Sequence, residues 1–214
     1  MEIELLLAAS RGDITTVQTL LSCVVNLDAS NRNSRTALMA AALNGRTNVV
    51  ELLIDRGANI NAQDGYGNTA LSFAVWNSNN SVVKLLLENG AEAKAKDCVE
   101  RALSGKAANT SRENQTSENC QTVLMTAAFR GNLDVVRMLL TKGAEVNSRT
   151  DQGKTALMFA ASCKFSLKAR VDTVKALLTA GARVADKDNN GKTALDYALE
   201  AEHTDIVGLL QLSK

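Results

Sequence analysis

Residues 36–62 read TALMAAALNGRTNVVELLIDRGANINA, and this stretch decides the fold. Ala37, Leu38, Ala41 and Ala42 recur at helical spacing until Gly45 stops the run. Val49, Val50, Leu52, Leu53 and Ile54 form a second apolar stripe. Gly57 closes that stripe in the manner of a helix C-terminal glycine. Two helices this short are marginal alone in water. They bury their apolar faces only if copies of the same pair lie beside them.

The copies are present and in phase. Thr36-Ala37-Leu38 returns 33 positions later as Thr69-Ala70-Leu71, then as Thr155-Ala156-Leu157 and Thr193-Ala194-Leu195, with Thr122-Val123-Leu124 as a weaker version. Gly57-Ala58 returns as Gly90-Ala91, Gly143-Ala144 and Gly181-Ala182. Each of these glycines precedes the next threonine by 12 residues, except Gly90, which precedes Thr122 by 32.

This pattern resembles the ankyrin repeat, D-x-x-G-x-T-P-L-H-x-A-A-x-x-G followed by an apolar helix and G-A-x-x-N. The resemblance covers essentially the whole chain. It implies an all-α solenoid of helix-turn-helix units joined by short β-hairpin-like turns, in which each repeat touches only its neighbours. The expected organisation is a single domain, 1–214, with repeats at about 2–29, 31–62, 64–95, 117–149, 150–187 and 188–214. The first repeat lacks the threonine triplet and the last lacks a closing turn, as end-capping repeats do.

The departures from the family pattern are specific. The chain has no proline, so the family's Thr-Pro is Thr-Ala or Thr-Val. The threonine remains able to cap the helix that follows. The family's histidine after the leucine is replaced by Met39, Ser72, Met125, Met158 and Asp196. Ser34 and Ser78 stand where the family has glycine; the loop at Ser78 is expected to be mobile or a contact site. About 20 residues are inserted within 97–117, where Asn109–Asn119 carries no aliphatic or aromatic side chain. This insertion reads either as a surface loop or as a decayed repeat. Five further residues fall between the helices of repeat five, around Lys164 to Arg170.

Composition narrows the function. Aromatics are only 3% of 214 residues, so the core is built from Ala, Leu and Val. A net charge of +1 and no basic stripe argue against nucleic acid and membrane surfaces. No run of about 18 apolar residues marks a membrane span. The acidic start MEIELLLAAS lacks the bases of a secretion signal. Cys23, Cys98, Cys120 and Cys163 lie far apart with no C-x-x-C, which points to free thiols in the cytoplasm or another reducing compartment.

No catalytic pattern emerges. His203, the sole histidine, falls on the family's Gly-His position, where imidazole holds the turn. H-E-x-x-H, P-loop and G-x-G-x-x-G motifs are absent. Asp64, Asp151 and Asp188 recur once per repeat; repeats about 10 Å apart keep them from sharing an ion. The reading is therefore no enzyme, no cofactor and no metal. Asn109-Thr110-Ser111 and Asn114-Gln115-Thr116 match glycosylation acceptors by chance, given no secretion signal. Asn61 and Asn147 resemble asparagines hydroxylated in this family.

What remains is surface. The resemblance implies a concave face made by the turn tips and the exposed ends of the first helices. Carried onto this chain, it selects Arg35, Asn44, Tyr66, Trp76, Asn77, Phe129, Arg130, Gln152 and Lys154 as partner-binding residues. Aromatic and arginine side chains dominate binding hot spots. Phe129 and Trp76 could instead fill space between neighbouring first helices. The expected function is a protein–protein interaction module or scaffold, working as a monomer. Two alternatives stand beside it: a regulatory subunit or inhibitor that covers an enzyme's active site, and an enzyme built on the 97–117 insertion.

Overall fold

The computed structural model describes residues 2–23, 26–97, 121–163 and 167–213. The chain divides into two compact units, Met1–Asn114 and Gln115–Lys214. The insertion expected within 97–117, with Cys98 and Cys120 at or beside it, therefore lies outside the described residues apart from Asp97.

The first unit contains α1 (Glu2–Arg11), α2 (Ile14–Leu21), α3 (Ala37–Leu43), α4 (Thr47–Asp55), α5 (Ala70–Trp76) and α6 (Asn80–Glu88). The first helix of each pair packs on the next, α1 on α3 and α3 on α5. The second helices follow the same order, α2 on α4 and α4 on α6. The second unit repeats the plan with α7 (Val123–Phe129), α8 (Leu133–Thr141), α9 (Ala156–Ala161), α10 (Leu167–Thr179), α11 (Ala194–Glu200) and α12 (Thr204–Leu212). Among the described residues, strand structure is confined to two-residue segments at Lys96–Asp97 and Gln121–Thr122. The all-α repeat fold is as the sequence predicts.

The threonine triplet works as a cap. Thr36, Thr69, Thr122 and Thr193 sit in extended backbone, and each hydroxyl accepts the N–H three residues on. Thr155 is also an N-cap, but its side chain makes no capping bond. Alanine after the cap keeps the helix start without proline and lets first helices approach closely. Ala41, Ala42, Ala74, Ala127, Ala128, Ala160 and Ala161 are all fully buried. Leu53 and its counterparts Leu86, Leu139 and Leu177 are likewise fully buried in the second helices.

The connecting turns close as five-residue loops. Asp64 N donates to Asn68 O at 2.9 Å, Thr150 N to Lys154 O at 2.9 Å, and Asp188 N to Lys192 O at 2.9 Å. Ser30 and Thr36 form an antiparallel bridge at the corresponding turn of repeat two. Asp64 and Asp188 organise their turns as aspartates do, each Oδ1 accepting two backbone N–H groups. Ser34 and Ser78 hold the left-handed backbone that glycine holds in sister turns, at φ 59° and 56°. Ser34 N donates to Asn31 O at 2.8 Å, so the reversal survives the loss of glycine.

Repeat five departs from expectation. The extra residues were expected as a connection between its helices. Leu167–Arg170 instead join the second helix, which runs to 13 residues where α4, α6, α8 and α12 have 9. Arg170 explains the extension in part, because its guanidinium donates to both oxygens of Asp205 on α12, the nearest at 3.0 Å. This pair is mostly shielded from solvent and ties the added turn to the next repeat.

Candidate partner-binding surface

The nine candidate residues divide between the units, Arg35, Asn44, Tyr66, Trp76 and Asn77 in the first and Phe129, Arg130, Gln152 and Lys154 in the second.

In the first unit most of these side chains are tied to neighbouring repeats. Arg35 lies over the ring of Phe73 at 4.9 Å and pairs with buried Asp64 at 3.5 Å. It thus links the turn before α3 to the turn before α5 and to α5 itself. Asn44 Nδ2 donates to Ala40 O at 2.9 Å and to Ser10 Oγ at 3.1 Å. Asn77 Nδ2 donates to Leu43 O at 2.7 Å. Asn79 completes that corner by donating to Ala42 O at 2.9 Å, so the Ser78 loop is held at both flanks. Tyr66 and Trp76 are half-buried.

In the second unit the first helices carry an aromatic row, Phe129 as the last residue of α7, and Phe159 and Tyr197 as the fourth residues of α9 and α11. Phe129 is 43% exposed and meets Phe159 of the next repeat edge-to-face, with ring centroids 6.2 Å apart. That contact is the packing alternative anticipated for Phe129, yet it leaves much of the ring in solvent. Tyr197 occupies on α11 the place of Phe159 on α9. Lys154 Nζ lies 5.3 Å and Lys192 Nζ 5.8 Å from the Tyr197 ring centre, within cation–π range. Arg130 is half-buried beside Phe129. Gln152 is exposed, and its carbonyl accepts Asn189 N at 2.9 Å, joining successive turn tips.

Tyr197 and Phe159 were not among the candidates. Their signal was available in the repeat itself, since Phe73, Phe159 and Tyr197 stand four residues after their capping threonines.

The electrostatics at this end centre on Asp188. Burial pushes its carboxyl upward, but the Tyr197 hydroxyl at 2.7 Å, the N–H groups of Lys192 and Asn190 and the charge of Lys154 outweigh that and hold it below its ordinary value. Burial, and then the bond to Asp188, push the Tyr197 phenol well up. Asp196 is held low by the N–H and hydroxyl of Thr193. A carboxyl with a depressed folded-state value stabilises above its unfolded value and loses that contribution as pH falls through the folded one. The last repeat should therefore loosen below about pH 4. Thermal melts in acid should show this, and the acid-dependent part should shrink in Asp188→Asn. An unchanged acid profile in that variant would assign the effect elsewhere.

Two further ladders hold the repeats together. Asn61 Nδ2 donates to Gly90 O at 3.2 Å and its Oδ1 accepts Glu92 N at 3.0 Å. Asn147 does the same with Gly181 O and Arg183 N, both at 3.0 Å. His203 Nδ1 stands 2.8 Å from Ala161 O, a carbonyl that can only accept, so this contact ties the turn before α12 to the preceding repeat with Nδ1 donating. Asp205, two residues on, is engaged with Arg170. Among the described residues no group of His, Cys, Asp and Glu is arranged to hold a metal ion, and no helix is long and apolar enough to cross a membrane. Cys23 carries an exposed free thiol, and Cys163 is buried.

A family profile described as "Ankyrin repeats (3 copies)" matches residues 5–97 and 93–188. An ankyrin repeat domain from Acinetobacter baumannii AYE superposes with a TM-score of 0.80 at 28% identity, over 100% of this chain and 98% of that one. A chain of the complex between the predatory endopeptidase Bd0816 of Bdellovibrio bacteriovorus and the immunity protein Bd3460 gives 0.80 at 27% identity, over 99% and 98%. Human M-phase phosphoprotein 8 is 42% identical over 62 residues, 28% of this chain. The match spans only 7% of that protein's length.

Proposed function

The chain belongs to the ankyrin repeat family, and from that premise we propose that it binds a partner protein through its turn tips and the inner ends of its first helices. Ankyrin repeats are generally protein-interaction modules and typically non-enzymatic. The observation that carries the reading is Phe129, a large apolar ring left 43% exposed at a variable repeat position. Phe159, Tyr197 and Lys154 continue from it as a rigid, partly apolar surface. Side chains already locked by inter-repeat bonds lose little freedom on association. The same reading takes 1–214 as one monomeric domain in a reducing compartment, the free, exposed thiol of Cys23 in keeping with that. Arg130 and Gln152 complete this surface in the second unit, and Arg35, Asn44, Tyr66, Trp76 and Asn77 form the corresponding proposed surface of the first.

Affinity capture with the whole chain, followed by mass spectrometry, identifies the partner. Phe129→Ala should then weaken binding by about 2 kcal/mol or more. Its stability should fall only by about 0.5–1.5 kcal/mol, the value of one aromatic edge contact. Intact binding with a large stability loss would make Phe129 a packing residue.

The likeness to a chain of the endopeptidase–immunity protein complex favours a second reading, a cover for an enzyme's active site. In that case the captured partner is an enzyme whose turnover falls when an equal amount of this chain is added. A partner whose activity is untouched leaves the scaffold reading alone.

A further inference from the structure

Asparagine followed by glycine is the sequence most open to attack of a backbone nitrogen on its own side-chain amide, because glycine offers no side chain to obstruct it. The chain has three such pairs, Asn44-Gly45, Asn89-Gly90 and Asn190-Gly191. The fold treats them differently. Asn44 Nδ2 is held by Ala40 O and Ser10 Oγ, at 2.9 and 3.1 Å. Asn89 Nδ2 is held by Leu85 O at 2.9 Å. Both residues cap the ends of helices, α3 and α6. Asn190 sits at the tip of the last turn, is exposed, and makes no side-chain hydrogen bond, whereas its neighbour Asn189 is anchored to Asp151 O at 2.9 Å. The space around Gly191 is open. One backbone bond, from Gly191 N to Asp188 O at 3.0 Å, has to open before the nitrogen is free.

We propose that Asn190 is a self-modifying site, converting by cyclic imide to aspartate and isoaspartate. Gly191 N gives its proton to solvent and attacks Asn190 Cγ, forming a C–N bond. The Cγ–Nδ2 bond breaks, and the nitrogen leaves as ammonia with a proton from solvent. Water then adds to one of the two imide carbonyls. Opening on one side gives aspartate, and on the other isoaspartate; nothing is oxidised or reduced. The isoaspartyl product routes the main chain through the former side chain and lengthens the turn by one carbon. Asp188 Oδ1 accepts the N–H groups on both sides of that insertion, Asn190 at 2.9 Å and Lys192 at 2.8 Å. It cannot keep both. Asp188 Oδ2 also accepts the Tyr197 hydroxyl, so the modification loosens the end of the aromatic row. The chemistry stands independently of the partner-binding reading, since it needs only the turn and water.

The test ages the full folded chain in mildly alkaline buffer made with heavy-oxygen water, then compares proteolytic peptides by mass. The peptide holding Asn190 should take up the label several-fold faster than those holding Asn44 and Asn89. Electron-based fragmentation should find part of it as isoaspartate. Gly191→Ala, which adds a methyl group in open space, should slow uptake at residue 190. Label appearing first at Asn44 or Asn89 would overturn the assignment. So would a ranking that persists unchanged in the urea-unfolded chain, because the protection ascribed to the fold would then be absent.

Discussion

Leu53→Ala should destabilise the first unit by about 2–5 kcal/mol, the range for a buried leucine truncated in a packed core. The side chain is 0% exposed on α4. It lies on the helix that packs against both α2 and α6, so the cavity opens between three repeats' second helices. A solenoid has no other core to share the loss, because each repeat touches only its neighbours. Urea or thermal unfolding of the variant measures the effect directly. A loss under about 1 kcal/mol would mean that the helices relax into the space, a collapse for which the upper part of the range leaves no room. Leu86 and Leu139 stand at the equivalent places on α6 and α8 and should behave alike.

That prediction could be framed from the sequence because Leu53 recurs, and recurrence made the fold readable. The triplet Thr-Ala-Leu, Thr-Val-Leu in repeat four, and the closing Gly-Ala mark a helix start and a helix end in every full repeat, so phase alone assigns inside and outside. The turn roles of Asp64 and Asp188 were legible for the same reason, as their side chains bond their own backbone and need no tertiary information. Grouping Asp151 with them is wrong, since Thr150 holds that place and its hydroxyl accepts Lys154 N at 3.1 Å. Contacts that reach from one repeat to the next were not legible. Arg35 reads as an exposed turn cation, yet it bridges Phe73 and Asp64 of the next repeat. Asn61 and Asn147 stand out in the sequence only as resembling asparagines hydroxylated in this family, yet each gives both ends of its amide to the following repeat. The length of α10 was hidden too, since five added residues look alike whether they extend a loop or a helix until Arg170 finds Asp205. The candidate surface suffers the same limit. A variable position tells which side chains face the inner edge; it does not tell whether a neighbouring repeat has already claimed them, as it has for Asn44 and Asn77.

Gly153→Ala should cost more than Gly191→Ala, although both glycines lie in left-handed backbone, at φ 78° and 79°. An L-residue there costs roughly 1–2 kcal/mol from clash of its own Cβ with the following carbonyl. At Gly191 that is all, because a methyl group would meet nothing within 4 Å. At Gly153 the methyl would lie 2.7 Å from Asn189 Oδ1 and 3.0 Å from both Asn189 N and Arg149 Nη2. Asn189 cannot simply swing aside. Its N donates to Gln152 O and its Nδ2 to Asp151 O, the two bonds that hold successive turn tips together. Making room for the methyl breaks at least one of them, adding on the order of 1 kcal/mol to the shared strain. The difference between the two variants in urea unfolding isolates this inter-turn contact, because the backbone penalty cancels. Equal losses would show that the tips give way freely, and that the row of turns is not the rigid platform proposed for binding.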